Sequence, residues 1–382
     1  MANPLEHQLD YPLGDAVPAP GEAITLAPGV KWIRMGLPFA LDHINLWLLR
    51  DRLDGREGWT VVDCGITNEA TQRAWEQVFA EQMDGLPVLR VIVTHMHPDH
   101  IGLAHWLCER WSTPDSPAAR PPEGGADPLG GRPAGSGGGH DCRLWISATD
   151  WNAGRMASQQ TTGYGGEAAA RFFASHGLND PERQAQVRAR GNYYGSMVPQ
   201  VPGRFRRLMD GQVIEIGGQP WRCIAGHGHA PEHISLHAPG LGVMISGDMV
   251  LPRISTNVSV IDLEPEADPL RLYLASLDRL RPMPADTLVL PSHGKPFRGL
   301  HARIDQLHAH HEERLAEVMD ACAVAPQSAA DILPVLFKRA LDLHQTTFAM
   351  GESVAHLHAL WLAGRLVRTR GADGVWRFGT PG

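Results

Sequence analysis

The chain has little of several things, and each shortage excludes something. No apolar run approaches the roughly 18–20 residues needed to span a bilayer, which argues against an integral membrane protein. Met1 to Pro20 has neither a basic nor an apolar region and carries Glu6, Asp10 and Asp15, so a secretory signal is not expected. Cysteine is scarce: Cys64, Cys108, Cys142, Cys223 and Cys322 are odd in number, widely spaced and form no CxxC pair. That pattern fits reduced, buried thiols of a cytoplasmic protein and not a disulfide framework. Basic charge is also short, with 34 Lys and Arg against 42 Asp and Glu for a net charge of −8, which makes a general polyanion binder a poor reading. At 43% hydrophobic and 20% charged over 382 residues, the composition is that of a globular protein with room for more than one domain.

What is abundant is histidine, at 20 residues. Histidine is the commonest metal ligand and the usual proton carrier near neutral pH, so its placement is the informative question. Short runs rich in Val, Ile, Leu and Trp predict strands at Val30–Met35, His43–Arg50, Trp59–Asp63 and Val88–Val93, with a helix over Glu69–Met83 between the last two. Strands are also expected at Leu144–Ile146, Val213–Ile216, Trp221–Ala225, Ile234–His237, Val243–Ser246 and Thr287–Leu290. Glu167–Arg190 is helical in composition with a break at Pro181, and further helices are expected at Leu270–Leu280 and Leu300–Cys322. Thr113–Asp141 holds 6 Pro and 8 Gly among 29 residues, with Leu129 its single large aliphatic. Such a stretch cannot bury enough surface to offset its ordering entropy, so a surface insertion without fixed structure is expected. After a linker at Ala323–Gln327, the remainder reads as three helices and a hairpin, Leu366–Thr369 and Val375–Phe378 flanking Gly371-Ala372-Asp373-Gly374.

The buried strand Val88–Val93 runs straight into Thr94-His95-Met96-His97-Pro98-Asp99-His100. Three imidazoles and a carboxylate in six residues suit zinc and similar transition metals, and burying so many polar groups is costly unless something satisfies them. Three later segments repeat the logic: Gly228-His229, Gly247-Asp248 and His293-Gly294 each put a ligand-type side chain just after a predicted strand, beside a glycine able to turn tightly.

This ordered set, HxHxDH, then GH, then GD, then a late His, resembles the metallo-β-lactamase superfamily over about residues 22–310. Val62-Asp63-Cys64-Gly65 looks like the superfamily's first motif. The resemblance implies an αββα sandwich and two divalent metal ions, most often zinc, with iron or manganese as alternatives. It implies that His95, His97 and His229 hold the first ion, that Asp99, His100 and His293 hold the second, and that Asp248 bridges. An aspartate at 248, where β-lactamases of the commonest class often place a cysteine, points to glyoxalase II-like hydrolases. The run Gly247–Ser255 resembles a lactamase-beta-like subgroup with a C-terminal winged-helix domain, which includes endoribonucleases and polyketide thioesterases. The expected organisation is therefore a catalytic domain over 1–323, carrying the 113–141 insertion, and a winged-helix-like domain over 328–382.

The implied mechanism is attack by a hydroxide shared between two metals, which bring the pKa of bound water to about 7. Asp99 would orient it, and Asp99 and Asp248 are the candidate catalytic carboxylates. Asp63 and His233 are expected as hydrogen-bonded supports, and His229, not His227, keeps register with the motif. Arg253 and Lys295 lie near motif residues and are candidates for an anionic substrate group, although solvated charge is the commoner use. Tyr193, Tyr194 and Trp151 fit core packing better than a substrate cleft. His308, His310 and His311 lie on one helix without a carboxylate-and-turn context and fit surface or packing roles.

No further general acid stands out, which favours activated acyl substrates, since a thiolate leaves without much help from a proton. A small thioester, lactone or ester is thus the expected substrate. One alternative is an endoribonuclease on single-stranded RNA. Another is a non-catalytic regulator using the winged helix, which the complete ligand set argues against. Residues 328–382 carry six Lys and Arg against four Asp and Glu, too weakly basic for a typical nucleic-acid reader, so packing or homodimer formation is the expected use of that domain.

Overall fold

A computed structural model describes residues 3–112, 140–159 and 165–382. Two sheets lie face to face. The first contains β1 (Ile24–Ala27), β2 (Val30–Gly36), β3 (His43–Leu53), β4 (Arg56–Val62), β5 (Val88–Ile92), β6 (Arg143–Ser147) and β7 (Phe205–Leu208), in that spatial order. The second contains β8 (Val213–Ile216), β9 (Gln219–Gly226), β10 (His233–Ala238), β11 (Val243–Gly247) and β12 (Leu288–Pro291), ordered β12-β11-β10-β9-β8. Strands β1 to β4 form an antiparallel meander, and β4 to β7 pair in parallel.

Helices cover both outer faces. They are α1 (Glu69–Glu81), α2 (Pro98–Ile101), α3 (Ala104–Trp111), α4 (Ala148–Ser158), α5 (Gly166–Ser175), α6 (Pro181–Ala189), α7 (Tyr193–Met197), α8 (Pro269–Asp278), α9 (Leu300–Val324), α10 (Ala329–Leu336) and α11 (Leu343–Leu362). A hairpin of β13 (Val367–Arg370) and β14 (Trp376–Gly379) ends the chain. Local chemistry sets several starts. The Asn68 side chain accepts the Thr71 N–H at the head of α1, Asp268 accepts from Arg271 at α8, and Ser328 and Asp331 form a reciprocal capping box at α10.

Three apolar layers follow from this order. Trp32, Trp47, Val62, Ile92 and Trp145 of the first sheet meet Trp221, Ile234, Leu236, Ile245 and Leu290 of the second. The outer face of the first sheet buries Trp75, Val78 and Phe79 of α1. The outer face of the second packs against α8 and α9, and α10 and α11 join the same layer through Ile332, Leu336, Met350, Val354 and Leu357. The result is the expected αββα sandwich, with the C-terminal segment built into one of its helical layers.

Some sequence expectations shift. Residues 113–139 of the expected insertion lie outside the described residues. Two α-helices, not three, precede the hairpin, because α11 runs on for 20 residues through Gly351. A Cβ at Gly351 would lie 2.7 Å from the Ser259 side chain, so glycine here permits close packing and does not break the helix. Strand β7 and helix α7 carried no expectation of their own; β7 sets two adjacent arginines between its apolar ends, without the alternation that marks a strand.

A buried ion pair joins the two sheets. Arg90 of β5 donates to Asp51 of β3 at 2.7 and 3.1 Å, and Thr60 of β4 donates to the same carboxylate at 2.6 Å. The other Asp51 oxygen accepts the Gly217 N–H, from the turn after β8, at 3.0 Å. Both charged side chains are essentially inaccessible. Removing one partner strands the other, so Arg90→Ala is expected to lower the free energy of unfolding by about 3–5 kcal/mol in urea titrations, and a loss under about 1 kcal/mol would contradict this account.

The layer between α9 and α11 holds a second buried polar pair. His356 Nδ1–H donates to the Glu352 carbonyl at 2.8 Å, and His356 Nε2 lies 3.3 Å from His311 Nδ1. Burial pushes the His356 pKa down to about 4. The folded state therefore favours neutral His356, and its contribution is present above the unfolded value of about 6.5 and lost as pH falls toward 4. Urea midpoints should drop over that window, and less steeply in His356→Gln; equal slopes would remove His356 from the explanation.

Candidate metal centre

Four chain segments end at the same edge of the sandwich. His95 to His100 follow β5, His229 lies in the turn between β9 and β10, Asp248 follows β11 directly, and His293 follows β12. Pro98 occupies the first turn of α2 with His97 as its N-cap, so Asp99 and His100 are held on a short helix while His97 remains extended. Gly247 carries a left-handed backbone (φ 55°), and a Cβ there would run into the His233 ring.

Two groups of donor atoms result: His95, His97, His229 and Asp248 in one, and Asp99, His100 and His293 in the other, each within 4.8 Å. In the first, His95 Nε2 lies 2.9 Å from His97 Nδ1 and 3.2 Å from His229 Nε2, and Asp248 Oδ2 is 3.2 Å from His229 Nε2. In the second, Asp99 Oδ2 is 3.4 Å from His293 Nε2 and 3.7 Å from His100 Nε2. Asp248 Oδ1 faces this second group, 3.5 Å from His293 Nε2 and 3.6 Å from His100 Nε2. Ligands about 2.0–2.2 Å from a tetrahedral ion stand about 3.3–3.6 Å apart, so the second group has the spacing a metal requires and the first is slightly tighter. His100 Nε2 and Asp248 Oδ1 are buried without a hydrogen-bond partner. Orphaned donors of this kind, aimed at a common point, fit a cation between them.

The far sides of the rings explain the aim. His229 Nδ1 donates to the Asn257 carbonyl at 2.7 Å and His293 Nδ1 to the His43 carbonyl at 2.7 Å. His100 Nδ1 lies 2.8 Å from Asp63 Oδ2, and His95 Nδ1 is 3.0 Å from the Thr94 hydroxyl. Donating the Nδ1 proton outward leaves each Nε2 lone pair directed inward. Asp63 also accepts the Thr94 N–H and hydroxyl, and holds a left-handed backbone (φ 61°) to do so. Asp150, buried and pushed up to about 6 by desolvation, accepts the Met96 and Glu232 N–H groups and ties the two histidine-bearing loops together.

Electrostatics divides the two groups. Burial, reinforced by the other imidazoles, holds His95 well below its usual pKa and His97 down to about 3. Burial also acts to lower His293 and His100, but the carboxylates outweigh it: Asp248 and Asp99 raise His293 to about 10, and Asp63, Asp99 and Asp248 raise His100. Asp99 is pushed up by burial, yet His100 and His293 prevail and hold it at about 2.

The remaining candidates sit elsewhere. His233 is fully buried and its Nε2 accepts the Asp248 N–H at 3.2 Å. His227 turns away to the Pro231 carbonyl. Lys295 donates to Gly14 O and Asp15, and Arg253, largely exposed, faces Glu6 at 3.9 Å; both are drawn to the N-terminal segment and away from the two groups. Trp151 stacks on Phe205 and Tyr194 donates to the Met96 carbonyl, so both are packing residues, whereas Tyr193 is half-buried against α11. His311 is buried in the layer already described, and His308 lies 3.1 Å from Asp278. Thr94, Asp150, His43 and Asn257 went unread in the sequence; the last two act through main-chain carbonyls, which any residue carries.

An αββα sandwich with histidine and aspartate donors at one edge defines a metal-dependent hydrolase scaffold. Residues 40–293 match the family described as the metallo-beta-lactamase superfamily, and residues 315–381 match the metallo-beta-lactamase-like C-terminal domain. The chain belongs to the metallo-beta-lactamase superfamily and is a metal-dependent hydrolase. It is 53% identical to a beta-lactamase domain protein from Burkholderia ambifaria, with a TM-score of 0.87, covering 99% of this chain and 100% of that one. A metallo-beta-lactamase family protein from Thermus thermophilus is 25% identical, with a TM-score of 0.71, covering 94% and 100%. The Bacillus subtilis protein named Probable metallo-hydrolase YqjP is 23% identical over 337 residues, 86% of this chain and 91% of that protein.

Asp63 gives a direct test of the outward hydrogen bonds. Asp63→Ala is expected to weaken divalent-ion binding about 10–100-fold, measured by competition with a chromophoric chelator. Unchanged affinity in a folded variant would show that His100 is aimed by packing alone.

Proposed function

We propose that the two donor groups hold two divalent ions, zinc ahead of iron or manganese, and that the enzyme hydrolyses a small activated acyl compound: a thioester, lactone or ester. The observation that carries the reading is Asp248, whose Oδ2 faces His229 while its Oδ1 faces His100 and His293. A carboxylate presenting one oxygen to each group is what a bridging ligand requires. His95, His97 and His229 would complete one coordination sphere, and Asp99, His100 and His293 the other. Such ions supply a water-derived nucleophile at neutral pH and positive charge opposite a developing oxyanion.

The chain's own residues then have distinct tasks. Asp99 is the most accessible of the carboxylates here, its side chain 19% exposed, and it is placed to orient the attacking water. Asp63, Asn257 and His43 keep the imidazoles pointed inward. His233 fixes Asp248 through its backbone N–H and stands outside both spheres. With Asp99 and Asp248 held ionised by their histidine neighbours, neither is a proton donor for a poor leaving group, which favours thiolates and other stable anions. The C-terminal helices and hairpin are read as a winged-helix-type module with a packing role, since α10 and α11 share the buried layer of α8 and α9. Five buried free thiols suit a reducing, cytoplasmic setting; no helix among the described residues is long and apolar enough to cross a membrane.

The test is metal analysis together with a panel of thioesters, lactones and aryl esters. About two equivalents of metal are expected. Asp248→Ala and His97→Ala should lower kcat/KM by more than the about 10–100-fold that loss of a supporting hydrogen bond costs. At most one equivalent of metal with no hydrolysis anywhere in the panel would overturn the reading. Metal-dependent cutting of single-stranded RNA, lost in His97→Ala, would replace it with the ribonuclease.

A further inference from the structure

Three segments that support the metal-site residues lead to one side chain of the C-terminal region, His344. The first starts at Met96, between His95 and His97, whose carbonyl accepts from Tyr194; the neighbouring Tyr193 hydroxyl lies 2.9 Å from His344 Nδ1. The second starts at His43, whose carbonyl holds His293 and whose ring accepts the Gly294 N–H. The loop before it carries Phe39, stacked on His344 with centroids 5.2 Å apart and planes 9° from parallel. The third starts at Asn257, which holds His229; Ser259 bonds its side chain and reaches the Phe348 carbonyl, and the Phe348 ring lies 4.8 Å from His344. Phe39, Tyr193, His344 and Phe348 therefore form a wall beside the metal loops, and Phe348 is 43% exposed.

One cation stands in this wall. The Arg190 guanidinium lies 3.8 Å over the Tyr193 ring and makes only long bonds, 3.3 Å each, to Thr347 Oγ1 and His344 Nδ1. Among the described residues no carboxylate lies within 4.0 Å of it. Its neighbour Arg188, two residues away, instead pairs with Glu167 at 2.8 Å. The Asp342 carboxylate bears electrostatically on Tyr193 and His344 and is hydrogen-bonded to the Gln345 N–H as the N-cap of α11. A guanidinium stacked, half-buried and without a counter-ion, in a chain of net charge −8, has donors left for an external anion.

We propose that Arg190, with Thr347 and His344, is a subsite for an anionic group of the substrate, a carboxylate or a phosphate. Phe39, Tyr193 and Phe348 hold the planar or apolar segment that joins that group to the acyl carbon. The proposal rests on reading the metal loops as the catalytic site, and it narrows the substrate to acyl compounds with a charged end. It also gives the C-terminal region a share in specificity, because His344, Thr347 and Phe348 all lie on α11.

The test is equilibrium binding to the metal-loaded protein by calorimetry, with 1-naphthylacetate and its neutral isostere 1-naphthylacetamide as probes. The wild type should bind the carboxylate at least about tenfold more tightly than the amide, the scale of one charge-assisted hydrogen bond. Arg190→Gln, which keeps most of the side-chain stem, should bring the two within about threefold. Phe348→Ala should weaken both probes alike. Discrimination that persists in Arg190→Gln assigns charge recognition to the metal ions and overturns the proposal, as does a wild type that binds neither probe or both equally. Because binding is read without turnover, the two readings separate. A protein that hydrolyses neutral esters yet does not discriminate loses only the subsite. One that discriminates yet hydrolyses nothing in the panel loses only the acyl-hydrolase reading.

Discussion

The structure depends on the convergence of seven polar side chains on one edge of the sandwich. In the first group three imidazole nitrogens and a carboxylate oxygen stand about 3 Å apart, and burial favours the neutral forms of His95 and His97. Neutral imidazoles at this spacing can share only the single proton each carries, whereas a cation between them satisfies every inward lone pair at once. The second group sets Asp99 and the second oxygen of Asp248 against His100 and His293, and His100 Nε2 and Asp248 Oδ1 are buried without a hydrogen-bond partner. Buried polar atoms left over once the local hydrogen bonds are made are why the arrangement reads as a cation site and not as a hydrogen-bonded core.

Holding such an arrangement requires stiffness from elements that carry no chemistry. The donors come from both sheets, β5 on one side and β9, β11 and β12 on the other, so any sliding of the sheets would separate them. The Asp51–Arg90–Thr60 cluster resists that slide, because it bonds the turn after β8 to three strands of the first sheet. Asp150 performs a similar task nearer the site, bonding the Met96 and Glu232 backbones on opposite sheets. Charged groups buried in this way contribute less to net stability than to a single relative placement of the two sheets, which is the property the donor geometry needs.

How much was legible in the sequence follows from where the information sits. His95, His97, Asp99 and His100 are contiguous, and the strand before them announces itself by its apolar run, so both the element and the donors could be read together. His229, Asp248 and His293 could be placed because each follows a strand and abuts a glycine. The supports were legible only where the side chain itself is the acceptor, as with Asp63. His43 and Asn257 act through their carbonyls, and no residue type marks a carbonyl. For Arg253 and Lys295 the sequence favours solvated charge over a substrate role, and the fold sets them against Glu6 and Asp15. The Tyr193 hydroxyl meets His344, 151 residues further along the chain, a contact that no local pattern announces.

The C-terminal region shows why an accessory element can matter more for selectivity than its distance in sequence suggests. Its hydrophobic residues complete the layer over α8 and α9, so it cannot be removed without exposing that layer. Once α11 is docked there, Gly351 lets it press on Ser259 and Val260, which follow the Asn257 carbonyl that aims His229. The same helix therefore braces the loop of a donor residue with its middle and sets His344 of its first turn against Tyr193 and Phe39. A catalytic core that only makes a nucleophile and stabilises charge serves many substrates equally. Selectivity must come from groups that touch the substrate away from the reacting carbon, and on the proposed reading α11 is the element that supplies them while being fixed by contacts the core already needs.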